Sequence, residues 1–217
     1  MALPFDDILT NRSTIVPGAV WLRGRLSLDQ QRRLVDRCRA FIDGPVGGYT
    51  PTVRGGGKMR VRMTCLGRHW NAMTYMYEAT RADHDRQLVE ALPEEWVTLA
   101  RELAADAGFA MQPDICLINH YAADGRMGLH QDKDEGRASI DAGVPVVSIS
   151  LGDTARFQFG GLRRRDPIHT LLLESGDVFV FGGPARLCYH GVTRIVPGSA
   201  PAGLELSGRF NLTFRQY

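Results

Sequence analysis

Two stretches in the N-terminal half carry apolar residues at the spacing of an amphipathic helix. The first opens with Ser27 and Gln30, a capping-box pair, and the second lies between Pro93 and Gly108. The apolar positions are Leu34, Val35, Cys38 and Phe41 in the first stretch and Trp96, Leu99, Ala100 and Leu103 in the second. We therefore predict one helix over residues 28–41 and another from Pro93 to Gly108.

After Pro113 the pattern changes to short β-rich runs separated by glycine, aspartate and proline. The runs that we predict as strands span residues 115–121, 144–151, 156–159, 169–173, 177–181 and 209–214. Ser175-Gly-Asp177 predicts a tight turn between the fourth and fifth of them. Many short strands without intervening helices favour a sandwich, jelly roll or barrel over a Rossmann sheet.

Residues 44–77, between the two helices, are rich in glycine, arginine and aromatic residues and show no clean period. We predict short strands and loops that lie outside the core. The segment has five cations and no acid: Arg54, Lys58, Arg60, Arg62 and Arg68. A basic surface that contacts phosphates and a solvated loop fit this charge pattern equally well.

Composition sets broad limits. A chain of 217 residues fits one domain with its own core, and a net charge of +2 neither favours nor excludes a nucleic-acid partner. The four cysteines are far apart and lack a C-x-x-C pair, which favours free thiols in a reducing compartment. The start of the chain is acidic rather than basic, and no run is long enough to span a bilayer. We expect a soluble, cytoplasmic protein that binds no membrane.

A candidate metal site begins with His130-Gln-Asp132, because side chains two residues apart on an extended segment share a face. His190, at the end of an apolar strand predicted at Leu187-Cys-Tyr-His, supplies a third ligand. Each motif alone is more typical of a surface turn or a core histidine. Together, two histidines and one carboxylate on a β scaffold match the facial triad of non-haem iron(II) oxygenases. No partner at ligand spacing accompanies His69, His84, His120 or His169.

The C-terminal segment 209–215 alternates strictly between polar and apolar residues, as one strand with two faces does. Its polar face comprises Arg209, Asn211, Thr213 and Arg215. If that face borders a cavity, the two guanidiniums need an anion. The dicarboxylic acid 2-oxoglutarate fits, because an arginine fork grips a carboxylate with two hydrogen bonds. An edge strand with its arginines in water is the alternative.

These segments together resemble the AlkB family of iron(II)- and 2-oxoglutarate-dependent alkylation-repair dioxygenases. The resemblance rests on Asn119-His-Tyr121, Leu129-His-Gln-Asp-Lys-Asp-Glu135, Phe157-Gln-Phe-Gly-Gly161, Tyr189-His-Gly191 and Arg209-Phe-Asn-Leu-Thr-Phe-Arg-Gln216. They stand in the family's order at similar spacing, and with weaker similarity upstream they cover most of the chain.

The resemblance implies an α+β, mainly β fold: a double-stranded β-helix, or jelly roll, with N-terminal helices packed on it. It implies one catalytic domain over residues 1–217, with an N-terminal extension at 1–112, a nucleotide-recognition lid at 44–80 and the jelly-roll core at 113–217. Iron(II) would be bound by His130, Asp132 and His190. The co-substrates would be O2 and 2-oxoglutarate, the latter bound by Arg209 and Arg215 with hydrogen bonds from Asn119, Tyr121 and Asn211.

The resemblance further implies that the lid holds a nucleotide flipped out of its stack. The base would be contacted by Trp70, Tyr75 and Tyr77, with Asp134 at its exocyclic amine and Arg164 near the substrate. A carboxylate there favours a methylated base, which carries positive charge. From the residues alone, Trp70 is better explained as a packing anchor, and Asp134 fits a solvated turn acid equally well.

The implied activity is oxidative demethylation of bases such as 1-methyladenine and 3-methylcytosine in DNA or RNA. In this reaction 2-oxoglutarate and O2 become succinate and CO2, and formaldehyde is released. We expect a monomer whose partner is single-stranded or flipped nucleic acid. Two alternatives remain: a related hydroxylase that acts on tRNA or on protein, and a non-catalytic nucleic-acid-binding β module.

Overall fold

The computed structural model describes residues 11–45 and 47–217, so the start of the chain, where we expect no signal peptide, lies outside the described residues. The helices are α1 (Leu28–Asp43), α2 (Glu94–Asp106) and the short α3 (Arg137–Asp141), with a 3₁₀ turn at Gly183–Ala185. Ser27 caps α1: its hydroxyl accepts from Gln30 N at 3.3 Å, and Gln30 Oε1 accepts from Ser27 N at 2.9 Å. Both predicted helices are confirmed.

The strands are β1 (Arg12–Val16), β2 (Ala19–Leu22), β3 (Arg62–Leu66), β4 (His69–Asn71), β5 (Met76–Glu78), β6 (Ile115–Tyr121), β7 (Met127–His130), β8 (Val146–Gly152), β9 (Thr154–Phe159), β10 (His169–Leu173), β11 (Val178–Phe181), β12 (His190–Val196) and β13 (Arg209–Arg215). All the predicted strands are present. The strands β6 and β10 have the predicted bounds.

Two sheets build the core. The larger has the order β1-β2-β11-β8-β13-β6-β3, and the smaller has the order β10-β9-β12-β7. From β6 to β13 the chain passes repeatedly between the two sheets, which is the connectivity of a jelly roll. The predicted fold class is therefore confirmed. The N-terminal part adds β1, β2 and β3 to the flanks of the larger sheet, and β4 and β5 form a separate hairpin.

Apolar side chains fill both faces of the larger sheet. On one face α1 and α2 pack against Phe210, Leu212 and Phe214 of β13. Between the sheets lies an aromatic cluster in which Phe159 and Phe179 meet with ring centroids 5.0 Å apart. Each buried phenylalanine stabilises the fold by about 1.5–3 kcal/mol. Because packing on both faces holds the strands in place, the side chains at the end of the jelly roll have fixed positions.

The structure corrects the prediction for residues 44–77. Within this segment β3 pairs with β6 in the larger sheet, and Met63, Cys65 and Leu66 are buried. Both faces of β3 are covered, so the period-two pattern of a half-exposed strand is absent. The β1–β2 hairpin was not predicted, although Pro17-Gly18 marks its turn and Gly18 has the left-handed φ of 85°.

One further prediction about a strand end is wrong. His190 begins β12 instead of ending an apolar strand, because residues 182–189 carry the chain from the larger sheet to the smaller one. The predicted tight turn at Ser175-Gly-Asp177 is confirmed, and the strands that it joins, β10 and β11, lie in different sheets. Asp177 secures this turn by accepting from Trp21 Nε1 at 3.0 Å and from Glu174 N at 2.9 Å.

Candidate active site

A cavity of about 410 Å³ is lined by residues from both sheets and from the β4–β5 hairpin. Every residue predicted for the site lines this cavity except Arg209. The predicted residues that line it are Trp70, Tyr75, Tyr77, Asn119, Tyr121, His130, Asp132, Asp134, Arg164, His190, Asn211 and Arg215. Segments far apart in the chain therefore meet at one place of a size suited to a small ligand.

The candidate metal ligands converge at the junction of β7 and β12. His130 ends β7 directly opposite His190 at the start of β12, and their ring centroids are 4.5 Å apart. Asp132 lies two residues beyond the end of β7. Its carboxylate lies 3.6 Å from Nε2 of each imidazole, so His130 and Asp132 face one centre as predicted. The three ligand atoms lie within 4.8 Å of one another.

Backbone carbonyls select the imidazole nitrogens that face this centre. Nδ1 of His130 lies 2.9 Å from Gly128 O, and Nδ1 of His190 lies 3.0 Å from Cys188 O. A carbonyl only accepts, so each Nδ1 donates and each Nε2 is directed toward the carboxylate. Burial, followed by the proximity of His190, lowers the pKa of His130 to about 4. Two imidazoles and one carboxylate arranged in this way fit iron(II), which would be held by His130, Asp132 and His190.

A buried ion-pair network surrounds the carboxylate. Burial alone would raise the pKa of Asp132, but Arg215 and the imidazoles outweigh it and hold that pKa well below its ordinary value. Arg215 Nη2 lies 2.8 Å from Asp132, and Arg215 Nε lies 3.1 Å from Glu135. Glu135 in turn lies 3.0 Å from Nη2 of the buried Arg186. Sequence reasoning missed Glu135 and Arg186, which no local pattern connects.

Arg209 lies fully buried at the other end of the polar face of β13, behind the cavity wall. Its Nη2 donates to Ser150 Oγ at 2.8 Å and its Nη1 to Leu173 O at 3.4 Å, while Nε has no hydrogen-bond partner among the described residues. Burial lowers its pKa to about 10. None of the described carboxylates forms an ion pair with it. A buried guanidinium in this state fits the carboxylate of a bound anion such as 2-oxoglutarate.

Polar groups between the two arginines complete this side of the cavity. Asn119 on β6 pairs directly with Asn211 on β13. Asn211 Nδ2 donates to Ser148 Oγ at 2.8 Å, whereas the buried Asn119 Oδ1 has no hydrogen-bond partner in the part of the chain that the structure describes. Burial raises the pKa of Tyr121 to about 12, so its hydroxyl stays protonated and able to donate. Asn119, Tyr121 and Asn211 all line the cavity, and their hydrogen bonds to 2-oxoglutarate stay a prediction.

The opposite wall carries the residues predicted for base recognition. Trp70 Nε1 donates to Asp134 Oδ2 at 2.8 Å, and Tyr75 meets the Trp70 ring edge to face at 5.8 Å. Burial raises the pKa of Asp134. The Asp134 side chain reaches the cavity from a loop and not from a continued strand. An aromatic face and a carboxylate thus stand side by side in the cavity.

Tyr77 is placed differently from the expectation, whereas Arg164 lies at the cavity. Tyr77 is buried and its hydroxyl accepts from Arg215 Nη1, so it contacts the predicted co-substrate side and not an open base site. Arg164 donates to Leu129 O at 2.7 Å and lies over the ring of Tyr189 while lining the cavity.

The basic stretch within residues 44–77 is partly neutralised. Ion pairs join Arg62 to Asp43 at 3.0 Å, Arg60 to Asp124 at 3.4 Å and Arg68 to Asp114 at 3.5 Å. Arg54 and Lys58 are exposed and form no ion pair with the described residues. The structure therefore leaves these two cations as the strongest candidates for phosphate contacts in this stretch.

A jelly roll that holds two imidazoles and one carboxylate beside buried arginines defines a mononuclear iron oxygenase. Residues 18–215 match the 2OG-Fe(II) oxygenase superfamily. Over 220 residues the chain is 45% identical to the alpha-ketoglutarate-dependent dioxygenase AlkB of Escherichia coli, covering 98% of this chain and 96% of that protein. The chain belongs to the AlkB family of this superfamily, which confirms the resemblance and the expected cofactors, iron(II) and 2-oxoglutarate.

Other relatives carry related names. The chain is 42% identical over 226 residues to the DNA N(6)-methyladenine demethylase ALKBH1C of Arabidopsis thaliana, covering 94% of this chain and 50% of that protein. It thus spans about half the length of the Arabidopsis relatives. The solved structure of OsALKBH1 superposes with a TM-score of 0.89 at 39% identity, over 95% of this chain and all of that one.

Proposed function

We propose that this protein removes alkyl groups from nitrogen atoms of nucleic-acid bases by oxidation. In the proposed reaction one 2-oxoglutarate and one O2 yield succinate and CO2, and a methyl group leaves as formaldehyde. The observation that carries the proposal is that one cavity joins the metal ligands and the buried Arg215 to Trp70 and Asp134. The demethylase names of the relatives support the same reaction class.

The metal-binding side would work as follows. Iron(II), when bound, would supply the oxidising chemistry by activating O2 at positions that its three protein ligands leave open. His130 and His190 are oriented for this by their carbonyl partners. Arg209 and Arg215, at the two ends of one strand face, would hold the two carboxylates of 2-oxoglutarate.

The base-binding side selects by stacking and by charge. Stacking on the face of Trp70 contributes about 1–3 kcal/mol, which offsets much of the cost of unstacking a base. Asp134, fixed by its hydrogen bond to Trp70, offers a carboxylate to a base that carries positive charge. Bases such as 1-methyladenine and 3-methylcytosine are charged in this way, so we propose them as substrates in DNA or RNA.

We also propose that the protein acts as a monomer in the cytoplasm. The four cysteines are buried and form no disulfide, which fits a reducing compartment. No described helix is long and apolar enough to cross a membrane.

The test is mass spectrometry of oligonucleotides after incubation with the protein, iron(II), ascorbate and 2-oxoglutarate. Parallel substrates carry 1-methyladenine, 3-methylcytosine or N(6)-methyladenine, in DNA and in tRNA. We expect loss of one methyl mass from the first two and stoichiometric succinate. If no substrate loses its methyl group while succinate still forms, the protein is a hydroxylase of another substrate.

A further inference from the structure

Four arginines from four separate segments are neighbours on the outer face of the smaller sheet. Arg156 on β9 stands directly opposite Arg194 on β12. Arg126, which precedes β7, stands directly opposite Arg60, and its backbone N donates to Arg60 O at 3.3 Å. All four are exposed. We call this set the arginine row.

The side chains of the arginine row must point away from the cavity. Met59 and Met127 line the cavity, and Phe157 and Ile195 are buried between the sheets. Each of these four residues is the chain neighbour of one arginine. Because successive side chains of an extended segment point to opposite faces, all the arginines project from the outer face. Adjacent strands are about 4.8 Å apart, so four neighbouring positions span roughly 14 Å.

Such a row is unfavourable for the isolated fold. Like charges directly opposite each other on paired strands are destabilising, and both pairs in the row are of this kind. Arg60 reaches Asp124 at 3.4 Å, but Arg126, Arg156 and Arg194 form no ion pair with the described residues. Of the acids at the ends of β10, Asp166 accepts from Arg163 N at 2.9 Å within its own loop, and Glu174 is exposed. The row therefore carries surplus positive charge.

We propose that the arginine row binds the phosphate backbone of the nucleic-acid substrate outside the active site. This inference rests on the proposed function. The planar guanidinium of arginine forms paired hydrogen bonds with phosphate oxygens. Each nucleic-acid strand of a DNA duplex carries one negative charge about every 3.4 Å along the helix axis, so the row is long enough to span several phosphates. Met59 inside the cavity and Arg60 in the row are consecutive residues, so the row begins behind the cavity wall. A nucleic-acid strand that runs from the cavity over this wall would contact Arg60 and Arg126 first.

The test compares two double variants of equal charge change. The first, Arg156→Gln with Arg194→Gln, removes half of the row, and the control, Arg33→Gln with Arg101→Gln, alters exposed arginines on α1 and α2. Affinity for a fluorescent single strand of about twenty nucleotides with one 1-methyladenine is measured over a series of KCl concentrations. The measured quantity is the slope of log affinity against log KCl concentration. Two lost phosphate contacts should reduce the magnitude of this slope by about 1.4, at about 0.7 each, and the control should keep the wild-type slope.

Turnover of a methylated trinucleotide separates this inference from the proposed function. We expect a trinucleotide bound in the cavity to be too short to contact Arg156 or Arg194, so the row variant should process it at the wild-type rate. A wild-type slope in the row variant would overturn the inference. So would a variant that loses affinity for polyglutamate but not for the oligonucleotide, because the row would then bind an acidic protein. Absence of trinucleotide turnover in the wild-type protein would instead refute the demethylase activity.

Discussion

The buried ion pair between Glu135 and Arg186 makes a prediction about stability. Their side chains are 1% and 3% exposed, and 3.0 Å separates Glu135 Oε2 from Arg186 Nη2. Apart from this ion pair, the contacts of Arg186 among the described residues are hydrogen bonds to carbonyls, from Nε to Val144 O at 2.8 Å and from Nη1 to Asp132 O. Glu135→Gln would therefore leave a buried guanidinium without its carboxylate, while Arg215 would keep Asp132.

Removal of one partner of a buried ion pair costs about 3–5 kcal/mol, and we expect the lower end because the amide still accepts a hydrogen bond. For a protein of this size each kcal/mol lowers Tm by about 2–4 °C, so Glu135→Gln should lower Tm by about 6–12 °C. Calorimetry of the metal-free protein measures this. The exposed Glu94 gives a control, since Glu94→Gln should change stability by no more than about 0.5 kcal/mol.

A double variant tests the cause of the loss. Replacing a buried pair with neutral side chains of similar volume is often close to neutral for stability. Glu135→Gln with Arg186→Met should therefore recover much of the Tm that Glu135→Gln loses. An unchanged Tm in the single variant would refute the view that these residues act as a pair. So would a double variant whose Tm loss equals the sum of the losses of the two single variants.

Asp132→Ala should abolish turnover and lower iron stoichiometry with an unchanged circular dichroism spectrum, and full activity of iron-loaded variant would contradict the triad. Arg215→Lys should raise the KM for 2-oxoglutarate with little change in oligonucleotide affinity, because lysine cannot form two parallel hydrogen bonds to a carboxylate. Trp70→Ala should lower kcat/KM on a methylated oligonucleotide about tenfold or more while 2-oxoglutarate binding survives; an unchanged rate would make Trp70 a packing residue. Neutralising Arg54 and Lys58 should reduce the slope of log affinity for duplex DNA against log salt concentration by about 2. A wild-type slope would favour the alternative that these residues belong to a solvated loop.

The features of the site that could be predicted were those that lie within one short segment of the sequence. The spacing of His130 and Asp132 and the alternation of residues 209–215 each occupy one loop or strand, so their chemistry could be inferred from neighbours in sequence. The alternation of polar and apolar residues over 209–215 also predicted correctly which face of the strand is buried, since Phe210, Leu212 and Phe214 pack under the helices. The regular strand β7 nevertheless ends at His130, so Asp132 reaches the same centre from the segment that follows the strand.

The features that could not be predicted depend on pairings between distant segments. Glu135 and Arg186 meet because β7 and β12 pair side by side, and nothing local to either residue indicates it. The arginine row likewise combines residues from four segments, of which only Arg60 belonged to a recognisable basic stretch. Burial on both faces concealed β3, since its pattern lacked the period that identifies a half-exposed strand.

The buried charges around the metal ligands imply that metal and co-substrate help each other to bind. Without either, Arg186, Arg209 and Arg215 are buried near Asp132 and Glu135, so three positive charges meet two negative ones. Iron(II) brings two positive charges and the dianion of 2-oxoglutarate brings two negative ones. Iron(II) alone would add to the surplus of positive charge in a buried site, which is costly at low dielectric, and the dianion would offset that surplus. Each should therefore raise the affinity for the other, and this coupling must be reciprocal. Arg215, which contacts Asp132 and also lines the cavity, is the residue through which it would act.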